Sequence, residues 1–251
     1  MEIHEYQRNY ELEETYWWFV GVRAMVESLL SICSQGGSFG RVLDIGCGTG
    51  ALIDRLKHRC SEIWGVDNSP EALEFCRRRG LSNLVLSDAT KVPFPSDHFD
   101  LVTAIGIIEH VDDDRALLAE IRRLLKPGGV MILLTSSFPY LWSEHDTANN
   151  HRRRYYLRSL KDRIGSMGFE TLRFSHLNFF LFPVLAPALV GHRLVFGTAS
   201  DHPQRIMPLP PRFLNRWLTA ILRLEARLMR TMTLPWGISM IGAFRRTGHC
   251  Q

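Results

Sequence analysis

Residues 41–50 read RVLDIGCGTG. Val42, Leu43 and Ile45 make a short aliphatic, β-branched run of the kind found in a buried parallel strand. The run carries Asp44 and gives way to glycines at alternate positions, Gly46, Gly48 and Gly50, with Cys47 inside the turn. Glycine there permits positive φ and lets a ligand approach the main chain without meeting a Cβ. ALIDRLKH at 51–58 has helical spacing, so the unit is strand, glycine turn, helix, the opening of a nucleotide-binding α/β domain. A tight chain reversal would look similar, and the second strand is what sharpens the reading.

That strand, EIWGVDNSP at 62–70, ends on Asp67. A carboxylate about 20 residues beyond a glycine turn is placed to accept hydrogen bonds from ribose hydroxyls. The spacing is G-x-G-x-G rather than the dinucleotide G-x-G-x-x-G. With SDATKVPFPSDHFDLVTAIGIIEHV at 87–111 and LLKPGGVMILLTSS at 124–137, the chain resembles the class I S-adenosylmethionine-dependent methyltransferases from about residue 40 to 175, closest to their small-molecule and quinone-type branch.

The 251 residues suffice for one well-buried α/β domain with additions. The five cysteines, Cys33, Cys47, Cys60, Cys76 and Cys250, show neither C-x-x-C spacing nor a nearby histidine at metal-ligand spacing, so reduced thiols and no metal site are expected. The acidic, polar start, MEIHEYQRNYELEE, does not read as a secretory leader. Charge is unevenly spread. Residues 1–150 hold 14 Lys and Arg against 22 Asp and Glu, whereas residues 151–251 hold 16 against 4. The basic third fits an anionic membrane surface, nucleic acid or an acidic substrate, or a plain solvated surface.

Strand-like runs near 41–45, 62–67, 83–86, 99–105 and 129–135 alternate with helical patterns, which implies parallel strands covered on both faces. The Asp112–Asp114 run reads as the start of a helix that Pro-Gly-Gly stops. Residues 169–180 and 237–247 supply a sixth and a seventh strand. The resemblance implies a Rossmann-like, doubly wound, seven-stranded α/β sheet, mostly parallel, with the last strand antiparallel. An N-terminal helical lid occupies 1–36, the methyltransferase domain 37–176 and 236–248, and a helical insertion 177–235. Two readings of Tyr16, Trp17, Trp18 and Phe19 stand side by side: a hydrophobic staple onto the main domain, or a lid that excludes water from substrate.

Within the insertion, LNFFLFPVLAPALVG at 177–191 is broken by Pro183 and Pro187 and falls short of the ~20 apolar residues of a membrane span. In 212–230, Arg212, Arg216, Arg223, Arg227 and Arg230 fall on one helical face, with Leu214, Trp217, Leu218, Ile221, Leu222, Leu228 and Met229 filling much of the rest. Such a helix suits a membrane interface; packed over the sheet or at a homodimer surface, it would bury Trp217, Leu218, Ile221 and Leu222 instead.

The resemblance implies S-adenosyl-L-methionine as cofactor and S-adenosyl-L-homocysteine as product. It assigns Asp44, Gly46, Cys47, Gly48 and Gly50 to the amino-acid end, and Asp67, with Asn68 and Ser69, to the ribose. Asp88 and Ala89 then face the adenine, and Ala104, Ile105, Gly106 and Ile107 pass behind the methionine. For the acceptor, His110 after the fourth strand and His145, His151 and Tyr155 after the fifth are candidate proton-handling groups at the carboxyl edge of the sheet, each with a purely structural alternative. Arg152 and Arg153 could hold an anionic acceptor; Arg77–Arg79 read as a solvated helix end. The expected function is methyl transfer to a small or lipid-like acceptor, with O-methylation favoured, by a cytoplasmic and peripherally membrane-associated enzyme. The alternatives are a nucleic-acid methyltransferase, which the AIGIIEH at 104–110 disfavours for base amines, and a non-catalytic binding module.

Overall fold

The structure, a computed structural model, describes residues 3–34, 37–196 and 209–248. Two helices lead, α1 (Ile3–Leu12) and α2 (Trp17–Cys33). Alternation follows: β1 (Phe39–Ile45), α3 (Ala51–Leu56), β2 (Cys60–Asp67), α4 (Pro70–Arg78), β3 (Leu84–Leu86), β4 (Phe99–Ile105), α5 (Asp114–Leu124) and β5 (Leu125–Ser136). After β5 come α6 (Glu144–Ala148), α7 (Leu157–Ser166), β6 (Phe169–Leu177), α8 (Phe182–Phe196), α9 (Arg212–Leu228) and β7 (Ser239–Arg246).

One seven-stranded sheet runs β3-β2-β1-β4-β5-β7-β6. β7 is antiparallel to both its neighbours, and the other pairs are parallel. The seven-stranded, doubly wound expectation therefore holds, antiparallel last strand included. Alternation along each strand divides the core between the two faces. Leu43 and Ile45 of β1 join Val102, Ala104, Met131 and Leu133 beneath α5 and α7. Val42, Leu101, Val130 and Ile132 face the other way, towards Met25, Val26 and Leu29 of α2 and Leu222 and Ala226 of α9.

Local chemistry sets the element ends. Ser69 accepts from the Ala72 N–H at 3.2 Å and Pro70 occupies the first turn of α4. Asp113 caps α5, accepting from the N–H groups of Arg115 and Ala116. Asp114 differs from the helix-start expectation: it is buried and ion-paired with Arg163. β6 stops at Leu177 rather than running to 180, because Asn178 turns to a φ of 62° and its N–H goes to Glu225 of α9 at 2.7 Å.

The Tyr16–Phe19 segment packs onto the main domain. Tyr16 and Trp17 are buried at the start of α2 in the core shared with the sheet and α9, and Trp18 and Phe19 pack against that core. The staple reading is the one the packing supports, since the inward face of α2 continues from Trp17 through Gly21, Val22 and Met25. α9 lies along α2. A Cβ on Gly21 would sit 2.2 Å from Leu222 Cδ1, so glycine is what allows the approach. Asn215 accepts from the Trp17 N–H at 2.9 Å and donates to the Thr15 carbonyl at 2.7 Å. α9 buries Leu222 as the cap-helix reading requires, yet Trp217 stays 68% exposed. Cys33, Cys47, Cys60 and Cys76 are free thiols, and Cys250 lies outside the described residues.

Candidate active site

The carboxyl ends of β1, β2, β3 and β4 converge on one cleft of about 380 Å³. Gly46, Asp67, Asn68, Asp88, Ala89, Ile107, His110 and Arg152 line it. Gly46, Gly48 and Gly50 all take positive φ, at 72°, 54° and 84°. The turn is tied to β2 by the N–H groups of Gly46 and Cys47, which both donate to the Val66 carbonyl. A Cβ at Gly48 would meet nothing within 4 Å, so the space beside the turn is open.

Asp67 is 9% exposed, and its two oxygens accept separately from Gly48 N at 2.9 Å and Ser69 N at 3.0 Å. Burial nevertheless pushes its carboxyl above the usual range, the backbone donors opposing the shift. Asp44 is buried one strand away and accepts from Thr103 Oγ1 at 2.5 Å. Burial raises its carboxyl to about 7, with Asp67 and Glu13 adding like-charge repulsion. Two desolvated carboxyls beside an open glycine turn form a site that gains from a cation and from hydroxyl donors. A ligand with an ammonium group and a ribose supplies both, so these residues fit S-adenosylmethionine.

α1 and the turn after it contribute groups the sequence reading did not single out. Glu13 accepts from Thr49 Oγ1 and pairs with Arg79 at 2.9 Å. Arg79 also donates to the Thr49 carbonyl at 2.8 Å, so this arginine is buried in a network and is not a solvated helix end. Tyr6 is buried against Ala72 and Phe75 of α4. An acidic residue in a polar N-terminal stretch carries no spacing signal; only the fold brings it to the glycine turn.

Cys47 and Ala104 are buried, and Ser69 spends its side chain on the α4 cap. β4 ends at Ile105; Gly106 turns to a φ of 68°, and Ile107 packs beside Gly46. Asp88 accepts from Thr90 N and Oγ1 at 2.7 and 2.5 Å, which holds its carboxyl below the usual range.

On the acceptor side the three histidines separate. His110 lines the cleft, and burial lowers its imidazole to about 4, with His151 contributing. His151 stands edge-on behind it, ring centroids 4.7 Å apart. Its Nδ1 lies 2.9 Å from Asp146 Oδ1. Asp146 is fully buried; burial acts to raise its carboxyl, but bonds from His151 and both arms of Arg154 outweigh this and hold it well below the usual range. The carboxylate at Nδ1 fixes the orientation of the His151 ring. His145 is a step further away, 6.4 Å from the His151 ring. Behind them Glu109 is buried and accepts from Thr135 at 2.8 Å.

Tyr155 leaves the set of proton-handling candidates. It is buried in the sheet core and its hydroxyl donates to Asp114 at 2.9 Å, with burial and that carboxylate driving its ionisation far out of range. Arg153 donates to the carbonyls of Val111 and Asp112 and pairs with Asp114, so it braces the loop after β4. Arg152 reaches the cleft but pairs with Asp112 at 2.9 Å. Arg154, which orients the histidine's carboxylate, lay in the same run of arginines and could not be told apart by sequence alone.

Residues 43–133 match the methyltransferase domain family. Over these residues the chain is similar to the S-adenosylmethionine-dependent methyltransferases. A ubiquinone/menaquinone biosynthesis C-methyltransferase of Cupriavidus necator is 35% identical over 116 residues, covering 43% of this chain and 47% of the relative. A ubiquinone biosynthesis O-methyltransferase of Xanthomonas oryzae pv. oryzae is 36% identical over 102 residues, covering 38% and 42%. The chain thus spans about half the length of the curated relatives it matches. The fold extends further: a Thermotoga maritima S-adenosylmethionine-dependent methyltransferase structure superposes with a TM-score of 0.59 at 20% identity, over 98% of this chain and 96% of that one. S-adenosylmethionine is the cofactor of this family.

Proposed function

We propose that the protein transfers a methyl group to a hydroxyl of a small or lipid-like acceptor. The observation that carries this reading is the position of His110, backed by the His151–Asp146 pair, on the same cleft as Gly46 and Asp67. S-adenosylmethionine bound there supplies a methyl already activated by its sulfonium.

The chain's residues then have two tasks. Asp67 holds ribose hydroxyls with lone pairs left over from its two backbone bonds, Asp44 faces the ammonium end, and Asp88 and Ala89 flank the adenine. Orientation of this kind accounts for much of the rate in a displacement with a good leaving group. The second task is the proton. His110, neutral near pH 7, accepts a hydrogen bond from the acceptor hydroxyl and orients it. As the methyl moves to the oxygen, that proton passes to His110 along the same bond, while the His151–Asp146 pair holds its place edge-on behind the ring. The oxygen gains the methyl and loses its proton, and S-adenosylhomocysteine leaves.

One relative is a C-methyltransferase and another an O-methyltransferase, so carbon methylation of an activated ring is the second reading. A lipid-like acceptor would be drawn from a membrane, and cytoplasmic location with peripheral attachment belongs to the same reading. The test is a screen of phenolic and hydroquinone acceptors with a deuteromethyl donor, the labelled position being read by NMR. Label on oxygen, lost in His110→Ala, supports the reading; label on carbon with His110→Ala fully active refutes it.

A further inference from the structure

α9 presents three distinct sectors. At about 100° per residue, Leu222, Glu225, Ala226 and Met229 share one side, and all four are buried. Next round the axis, Arg212, Arg216, Arg223 and Arg227 fall within about 60° of one another. Adjacent to that stripe, Phe213, Trp217 and Leu224 fall within about 40°, exposed by 67%, 68% and 47%. A helix that only capped the sheet would need the first sector alone.

Among the described residues, none of these four arginines makes an ion pair or a side-chain hydrogen bond, whereas Arg55, Arg77, Arg79 and Arg123 each pair with a glutamate. Arg216, Arg223 and Arg227 border an open groove of about 560 Å³ between α2 and α9. Glu14, on the same groove, is committed to Arg23 and Arg79. α8, on the same insertion, adds exposed Val184, Leu194 and Val195.

From this arrangement we infer that α9 docks on an anionic phospholipid bilayer, its axis in the plane of the surface. Unpaired arginines beside an exposed apolar stripe match such a surface in both respects: the guanidinium groups reach lipid phosphates while Phe213, Trp217 and Leu224 enter the acyl boundary. A nucleic acid would satisfy the arginines and stack on Phe213 and Trp217, but it offers nothing to the exposed aliphatic side chains of Leu224 and, on α8, Val184, Leu194 and Val195. A second copy in a two-fold contact would bring four more unpaired arginines to the first four. Among the described residues no helix is long and apolar enough to cross a membrane, so the contact is one of surface docking. The inference stands independently of the acceptor and of the transfer chemistry.

The test is co-sedimentation of the full chain with vesicles of phosphatidylcholine alone or mixed with phosphatidylglycerol, over a range of salt. Binding to the mixed vesicles that falls with salt, and weak binding to the neutral ones, is expected. Arg216→Gln/Arg223→Gln/Arg227→Gln should weaken binding about fivefold per arginine, roughly a hundredfold together. Phe213→Ser/Trp217→Ser/Leu224→Ser should weaken it at every salt concentration. All six side chains are exposed or border open solvent, and unchanged circular dichroism and S-adenosylhomocysteine affinity show that both variants are folded. Equal binding to the two vesicle types, or variants that bind as the wild type does, overturns the proposal. So does an RNA oligonucleotide that displaces the protein from vesicles at equal phosphate, or a stable dimer that the arginine variant dissociates.

Discussion

The raised carboxyl of Asp44 makes a specific demand on how cofactor affinity varies with pH. Its pKa is about 7 in the free protein, against an ordinary 3.8, so near neutrality about half the molecules hold a proton there. The ammonium end of S-adenosylhomocysteine favours the ionised form, and binding must expel that proton. Affinity is therefore reduced by the factor 1 + 10^(pKa − pH), about elevenfold at pH 6 and close to onefold at pH 8, a span of about 1.4 kcal/mol. The fold itself responds with the opposite sign: because the folded pKa lies above the unfolded one, ionising Asp44 opposes folding, and this term falls away from stability as pH rises from 3.8 to about 7. Calorimetric titration with S-adenosylhomocysteine at pH 6, 7 and 8 reads the first effect directly. Repeating the pH 7 titration in buffers of different ionisation enthalpy should show about half a proton released per molecule bound. Asp44→Asn should bind more weakly and without this pH dependence. An affinity flat from pH 6 to 8 in the wild type, with no proton released, would refute the reasoning.

Asp67→Ala removes two charge-assisted bonds to ribose, of ~1.5–3 kcal/mol each, so S-adenosylhomocysteine affinity should fall by several kcal/mol at most; unchanged affinity in a folded variant would falsify the assignment. Gly21→Ala places a methyl against Leu222 Cβ and Cδ1, and should lower stability by about 1–3 kcal/mol in urea unfolding; full stability would mean that α2 and α9 are not in close contact. Glu225→Ala takes the acceptor from the buried N–H of Asn178 and the part-buried N–H of Phe180 and should cost ~3 kcal/mol, with hydrogen exchange of those two amides accelerating first.

Much of the sheet is readable because a parallel strand with its glycine turn is a local event. Val42 to Gly50 and Glu62 to Asp67 declare themselves within a few residues, and the helix between β4 and β5 carries its own cap and stop. The candidate site was legible to the same extent: Asp44, Gly46 and Asp67 sit in sequence motifs. What sequence could not show depends on pairings across long separations. Trp17 and Asn215 are 198 residues apart, and nothing near either announces the other. The aromatic run at 16–19 therefore left staple and lid equally open, although its first residues lie in the core. Tyr155 and His151 illustrate the same point at short range. Both follow β5 in a polar loop, yet one phenol is spent on Asp114 while one imidazole is oriented by Asp146, a distinction set by backbone turns rather than by residue type.

The position of β7 has a consequence for how the polypeptide emerges from the ribosome. Latest of the strands to be synthesised, it fills an interior slot, paired along Val130–Ser136 on one side and Phe169–Leu177 on the other. Until it appears, β5 and β6 each present an unsatisfied edge. At translation speeds of roughly 5–20 residues per second, the interval between residue 136 and residue 239 lasts about 5–20 s, ample time for two nascent chains to pair along those edges. Any synonymous codon change that slows elongation through the α8–α9 region lengthens that exposure. Loss of yield by aggregation, with no change in the purified protein, is the signature it would leave.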